Sequence, residues 1–196
     1  DALWFFVANK PNALILDFFA GSGTTMHAVN LLNAEDGGNR RCIMVTNNEV
    51  SDAEAKEMSK RGLKPGDEEW EKLGIARYVT WPRTVCSIEG HDVNGNPLNG
   101  NYIGSDIPMA DGFKANAAFF KLGFLDKNAV ALGRQFKEML PTLWMKAGAY
   151  GACPALGETV PEMLILPENR MAVLVDERAY MAFSEKLDEH PEIEAV

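Results

Sequence analysis

The sequence predicts an α/β fold that begins with a Rossmann-type unit, on three observations. Residues 13–19 and 42–45 are short apolar runs bounded by turn residues, the pattern of strands buried on both faces of a parallel sheet. Gly21-Ser22-Gly23 closes the first run. Between that turn and the second run, residues 24–32 place Ala28, Leu31 and Leu32 on one helical face. Strand, glycine turn, helix and strand in this order make the opening of a βαβ arrangement.

The remaining elements follow in order. Residues 2–8 are apolar and aromatic and read as the end of a helix, followed by a turn at Pro11. Residues 33–41 read as a polar loop turned at Gly37 and Gly38. Ser51 with Glu54 three places on is a helix-capping pattern, and that helix should stop near Arg61 and Gly62. Pro65, Gly66 and Asp67 restart a helix through Trp70, Leu73, Ile75 and Val79, with a kink expected at Pro82. Residues 91–105, rich in Gly and Asn, read as a surface hairpin or excursion. Residues 118–125 read as a strand and 128–147 as one helix bent at Pro141. Residues 148–161 read as loop, 171–175 as a strand, 178–189 as a helix and 193–196 as the start of another strand. The expected division is 1–90 for the Rossmann-type part, 91–112 for the excursion and 113–196 for a C-terminal portion with additional α/β elements.

Composition narrows the function. A chain 46% hydrophobic and 24% charged is not a disordered one. No apolar run approaches the ~20 residues of a membrane span, so no membrane partner is expected. The start, Asp1-Ala2-Leu3-Trp4, has neither an initiator Met nor a signal pattern, and the expectation is a portion of something longer. Three widely spaced cysteines without a CxxC argue against a disulfide framework or zinc knuckle and for a reducing, cytoplasmic setting. No His/Cys cluster exists in the sequence, so no metal is expected. The net charge of −9 does not advertise a nucleic-acid footprint within this chain.

The chemistry concentrates in Asp17, Phe18, Phe19, Ala20, Gly21, Ser22, Gly23, Thr24 and Thr25, at the carboxyl end of the first predicted strand. Open α/β sheets bind nucleotides there. A dinucleotide fingerprint needs a third glycine where this chain has Met26, which counts against a nicotinamide oxidoreductase. Instead an acid stands four places before the first glycine, giving D-x-x-x-G-x-G. A carboxylate favours a cationic or hydroxyl-rich ligand. S-Adenosylmethionine offers an α-ammonium, a sulfonium and ribose hydroxyls. Glu49, preceded by Asn48, follows the second predicted strand and is placed to accept hydrogen bonds from a ribose diol. Two alternatives stay open: Asp17 capping its own turn, and Glu49 serving the helix that starts near Ser51. Phe18 and Phe19 could pack on an adenine ring, with one of them facing the core. His27 reads as a packing residue, Cys42 and Cys86 as core thiols, and Lys56, Lys60, Arg61 and Lys64 as a solvated basic face.

These residues, with His27-Ala28-Val29 and Asp36-Gly37-Gly38-Asn39-Arg40-Arg41, resemble the S-adenosylmethionine motif of site-specific DNA adenine-N6 methyltransferases of the β-class, type III modification-like group. Stretches at 74–78, 132–136 and 143–148 are also similar to that group. The resemblance implies a partial Rossmann-like methyltransferase sheet, with S-adenosylmethionine held by residues 17–25, Asn48 and Glu49. It also implies a catalytic tetrapeptide, Asp/Asn-Pro-Pro-Tyr/Phe, lying before the cofactor motif. No two of the ten prolines here are adjacent, so that tetrapeptide is absent from this chain. The implied partner is DNA, contacted through regions mostly outside this chain. A restriction subunit is a further implied partner, and a homo-oligomer is left open. The rival readings are a methyltransferase with a non-DNA substrate and a non-catalytic binding or assembly module.

Overall fold

A computed structural model of the chain describes residues 2–196, which fall into two compact units, Asp1–Phe120 and Lys121–Val196. In the first, a short helix α1 (Ala2–Val7) precedes strand β1 (Leu14–Asp17), helix α2 (Thr24–Asp36) and strand β2 (Arg41–Met44). β1 and β2 pair in parallel, with Leu16 opposite Ile43 and Asp17 opposite Met44. Ile15, Cys42 and Met44 are half-buried and Val29 and Leu32 of α2 are buried. The other face, carrying Leu14, Leu16 and Ile43, is exposed. The expectation of strands buried on both faces is therefore corrected: along β1 and β2 exposed and half-buried residues alternate.

The stretch after residue 32, expected as a polar loop, is in part helix and closes on one buried arginine. α2 runs on to Asp36 and ends at Gly37 with φ 70°. Arg40 is 3% exposed, and all five of its guanidinium N–H donors have acceptors within reach. It forms a forked pair with Asp36 at 2.8 and 2.9 Å and donates to the carbonyls of Val7 and Ala8. A buried cation is tolerable only when paired and bonded in this way. The same pairing holds the Asp36 carboxyl below the ordinary carboxylate range. Asn33 completes this knot of bonds, accepting from the Arg40 amide and donating to its carbonyl.

Helix α3 (Asp52–Lys60) starts at Ser51 as its pattern requires. The Glu54 amide donates to Ser51 Oγ, and that hydroxyl donates to Glu54 Oε2 at 2.6 Å. The next helix differs from expectation. α4 (Glu68–Glu71) is a single turn, and the chain then passes through a π turn (Ala76–Thr80) into α5 (Trp81–Glu89). The break lies before Ile75, where a Cβ on Gly74 would overlap the Asn48 side chain. Pro82 sits in the first turn of α5, directly after the π turn.

The segment after α5 has no regular strand or α-helix through residue 112. It is stitched by isolated bridges between His91 and Pro97 and between Asn101 and Pro108. Asp92 organises its tip, accepting from the amides of Asn94 and Asn96. Tyr102 and Phe113 stack with ring centroids 4.7 Å apart, and His27 of α2 meets both edge-on.

Residues 118–125 form no strand: among the described residues they make no β-bridge, Phe119 packs against Trp81 and Arg77, and Leu122 and Phe124 are fully exposed. In the second unit the expected single helix is two, α6 (Lys127–Ala131) and α7 (Phe136–Lys146), broken at Gly133 with φ 69°. Pro141 is accommodated inside α7. Strands β3 (Met163–Leu166) and β4 (Met171–Leu174) form an antiparallel pair; β3 lies in a stretch to which the sequence reading assigned no element. Helix α8 (Tyr180–Asp188) follows a 3-10 turn. The expected last strand is one parallel bridge, Ala195 to Met171. Leu140, Trp144, Leu164 and Met171 make the core of this unit. The architecture is mixed α/β, with two separate two-stranded sheets.

Candidate functional site

The β1–α2 connection is built around Asp17. Its carboxylate accepts the Phe19 amide at Oδ1, 3.0 Å, and the Thr25 hydroxyl at Oδ2, 2.6 Å. Asp17 thus caps its own turn. A carboxylate offers about four lone-pair sites, so these two bonds leave acceptor capacity on both oxygens. Ala20 is buried, and its carbonyl accepts the Gly23 amide at 2.8 Å. Gly21 and Gly23 have φ of 51° and 80°, a conformation that side chains disfavour. α2 then begins with no side-chain cap.

Two residues on the π turn and α5 hold this turn from the other side, and the sequence reading missed both. Thr80 is buried; its hydroxyl lies 2.5 Å from the Gly21 carbonyl, and its methyl would be 3.2 Å from a Cβ on Gly23. Arg83 places Nη1 at 2.9 Å from Ser22 Oγ, 3.3 Å from the Ser22 carbonyl and 3.4 Å from Thr24 Oγ1. The Ser22 and Thr24 hydroxyls are themselves 3.2 Å apart. A signal existed: Thr80, Thr84 and Ser87 fall on one helical stripe and are all buried, and a buried polar stripe needs polar partners.

Phe18 and Phe19 are 61% and 83% exposed, so neither faces the core. Phe18 continues the open face of β1, beside Leu14 and Leu16. Phe19 has already left the strand, its amide held by Asp17. Beyond β2, Asn48 donates to the carbonyl and carboxylate of Glu71 and accepts the Arg77 amide. It positions α4 and the π turn. Glu49, five residues beyond β2, is exposed, and its carbonyl accepts the Ile75 amide. Its carboxylate makes no hydrogen bond to the turn among the described residues.

The neighbouring titratable groups are not poised for chemistry. Burial, with the Asp17 charge behind it, pushes the Cys42 thiol up to about 11, which removes it as a neutral-pH nucleophile. Burial, with Arg83 second, lowers the His27 pKa, and its Nδ1 is buried without a partner. Among the described residues no group of three or more His, Cys, Asp or Glu could hold a metal ion. No helix among them is long and apolar enough to cross a membrane. A groove of about 640 Å3 beside Trp81, Cys86, Glu89 and His91 includes none of the residues around the glycine turn. The turn itself offers an acceptor in Asp17, two hydroxyls, a cation and two exposed aromatic faces, the donor set for a ligand that is both charged and aromatic.

Residues 7–108, just over half of the chain, match the family described as DNA methylase, of the N6/N4 type. The chain is 64% identical over 39 residues to the type II methyltransferase M.KpnI of Klebsiella pneumoniae, a segment covering 20% of this chain and 9% of that protein. It is 63% identical over 40 residues to the Mod subunit of the type III restriction-modification enzyme StyLTI of Salmonella typhimurium, covering 20% and 6%. It is 50% identical over 44 residues to the EcoPI Mod subunit of Escherichia phage P1, covering 22% and 7%. Each match thus spans less than a tenth of the relative's own length. No solved structure matches the chain.

Proposed function

The chain belongs to the DNA methylase family, and on that premise we propose that it forms the S-adenosylmethionine-binding part of a site-specific adenine-N6 methyltransferase. The observation that carries the reading is the turn after β1, where an acceptor carboxylate, two positive-φ glycines and exposed aromatic rings converge at the carboxyl edge of a parallel strand pair. β1, α2 and β2 are read as the first unit of a Rossmann-like sheet, whose ligands bind at that edge.

The residues present fit the methyl donor. Asp17 has lone pairs to spare for an ammonium or hydroxyl. Glu49, exposed five residues beyond β2, is free of the turn and suited to a ribose diol. Phe18 and Phe19 offer apolar faces to the adenine. Ala20 and the glycines bring backbone rather than side chains to the ligand, and Thr25 keeps Asp17 oriented. Asn48 contributes by holding the neighbouring segment. When bound, S-adenosylmethionine supplies an electrophilic methyl group on sulfur. An exocyclic adenine amine must be unstacked and its protons accepted before it can attack such a methyl. With no Pro-Pro pair in the sequence, those duties fall to groups outside this chain, and the chain by itself is expected to transfer no methyl group. With a net charge of −9, it is also expected to bind duplex DNA feebly. Two relatives are named as Mod subunits of restriction-modification enzymes, and a restriction subunit is the proposed protein partner.

Calorimetry with S-adenosylhomocysteine on the wild type and Asp17→Ala tests the cofactor reading. Equal binding in both removes Asp17 from the site. Transfer of a labelled methyl group to mixed-sequence DNA tests the division of labour. Activity in the chain alone would place the catalytic groups among residues set aside here. Inactivity of a longer protein carrying the tetrapeptide would favour a non-catalytic binding module.

A further inference from the structure

We propose that Arg83 binds the methyl donor directly, holding the α-carboxylate of its methionyl group together with the hydroxyls of Ser22 and Thr24. The inference rests on the cofactor reading above and extends it to a residue that the glycine motif does not contain.

Three observations carry it. The first is convergence. Arg83 Nη1, Ser22 Oγ and Thr24 Oγ1 all lie within 3.4 Å of one another, at the lip of the turn. The second is uncompensated charge. Arg83 Nη1 meets only neutral oxygens, those of Ser22 and Thr24, and no carboxylate reaches ion-pair distance of Arg83 among the described residues. Its other donors remain available for the forked geometry with which guanidinium recognises a carboxylate. The third is placement. The turn and α5 are locked together by Thr80 on the Gly21 carbonyl, so the cation is held where it is rather than waving on a loop.

The choice of anion follows from the charges on either side of the turn. Asp17 presents acceptors and Arg83 presents donors, a pairing that matches the ammonium and carboxylate of one amino-acid group. A nucleic-acid phosphate would gain from Arg83 but be repelled by Asp17.

The test is calorimetry on the 196-residue chain with S-adenosylhomocysteine and with its decarboxylated analogue, which keeps the amine. Arg83→Ala should weaken S-adenosylhomocysteine roughly 10- to 100-fold, the scale of a lost charged hydrogen bond. It should leave the decarboxylated analogue unchanged, and Arg83→Lys should fall between. Equal weakening of both ligands would mean that Arg83 only shapes the turn and would overturn the proposal. So would unchanged binding of both. Unchanged binding of both with weakened binding of a short single-stranded oligonucleotide would assign Arg83 to phosphate instead. Failure of the wild type to bind either nucleoside would sink the cofactor reading itself, an outcome distinct from a failure confined to Arg83.

Discussion

In the C-terminal unit Leu140, Trp144, Leu164 and Met171 are each less than a tenth exposed and close on one another. In the N-terminal unit Leu16, Phe18 and Phe19 stand more than half in the open, within a few residues of the glycine turn. The polar groups differ in the same sense. Trp144 Nε1 and Asn169 Nδ2 both spend themselves on the Tyr150 carbonyl. Asp17 and Arg83 keep lone pairs and donors in hand. The Leu140 cluster closes its apolar side chains on one another and its neighbouring polar atoms are consumed within the fold. The glycine turn leaves apolar rings and polar atoms open side by side, the difference on which the proposed site rests.

The comparison breaks most visibly at Leu140, which is 1% exposed. Leu140→Ala should cost about 2–5 kcal/mol in urea unfolding of the C-terminal unit and leave S-adenosylhomocysteine binding intact. Lost binding would mean that the two regions do not divide the work. Gly23→Val tests the other side. A β-branched residue at φ 80°, pressed against the Thr80 methyl, should cost about 1–3 kcal/mol in strain and abolish measurable binding, as followed by melting and calorimetry together. Asp17→Asn keeps the shape and removes the charge. Binding should fall by about 1.5–3 kcal/mol with little change in melting temperature; a large melting shift with unchanged affinity would make Asp17 purely a capping residue.

The smallest effect is one of pH. Asp36 titrates below the ordinary value because Arg40 bonds to its charged form. Its contribution is therefore fully present above the unfolded-state value of about 3.9. It is lost as the pH falls through the lower, folded-state value. Urea midpoints of wild type and Asp36→Asn should differ near neutrality and converge in acid. A difference that persists at pH 2 would show that the knot is held by shape rather than charge.

What was legible in the sequence was local. The order β1, glycine turn, α2, β2 follows from runs and breaks within some thirty residues, and Ser51 with Glu54 announces its helix in four. Asp17 could be singled out because its partners, Phe19 and Thr25, lie within eight places of it. Thr80 and Arg83 reach the turn from about sixty residues away, and nothing in the turn's own sequence names them. The Arg40 knot was hidden for the same reason, since the Val7 and Ala8 carbonyls it holds are more than thirty residues distant. Residues 118–125 have the apolar content of a strand, but a strand exists only with a neighbouring strand to bond, and among the described residues they form no β-bridge. The exposure of Phe18 was equally out of reach, because which face of β1 is covered depends on the whole unit and not on the run itself.

The π turn at Ala76–Thr80 gives the chain a phase adjustment. An α-helix advances about 100° per residue, and a π turn takes up one residue more than the regular winding. Everything after it is therefore rotated by about one residue's angle relative to what an unbroken helix from Ile75 would present. Thr80 sits at the end of that winding and Arg83 three residues beyond it. Regular winding of the same residues would swing Arg83 away from Ser22 by roughly a quarter of a revolution, whereas removing a single residue between 76 and 79 would take up the extra winding and keep Arg83 facing the turn. One residue of winding thus sets which face of α5 meets the turn.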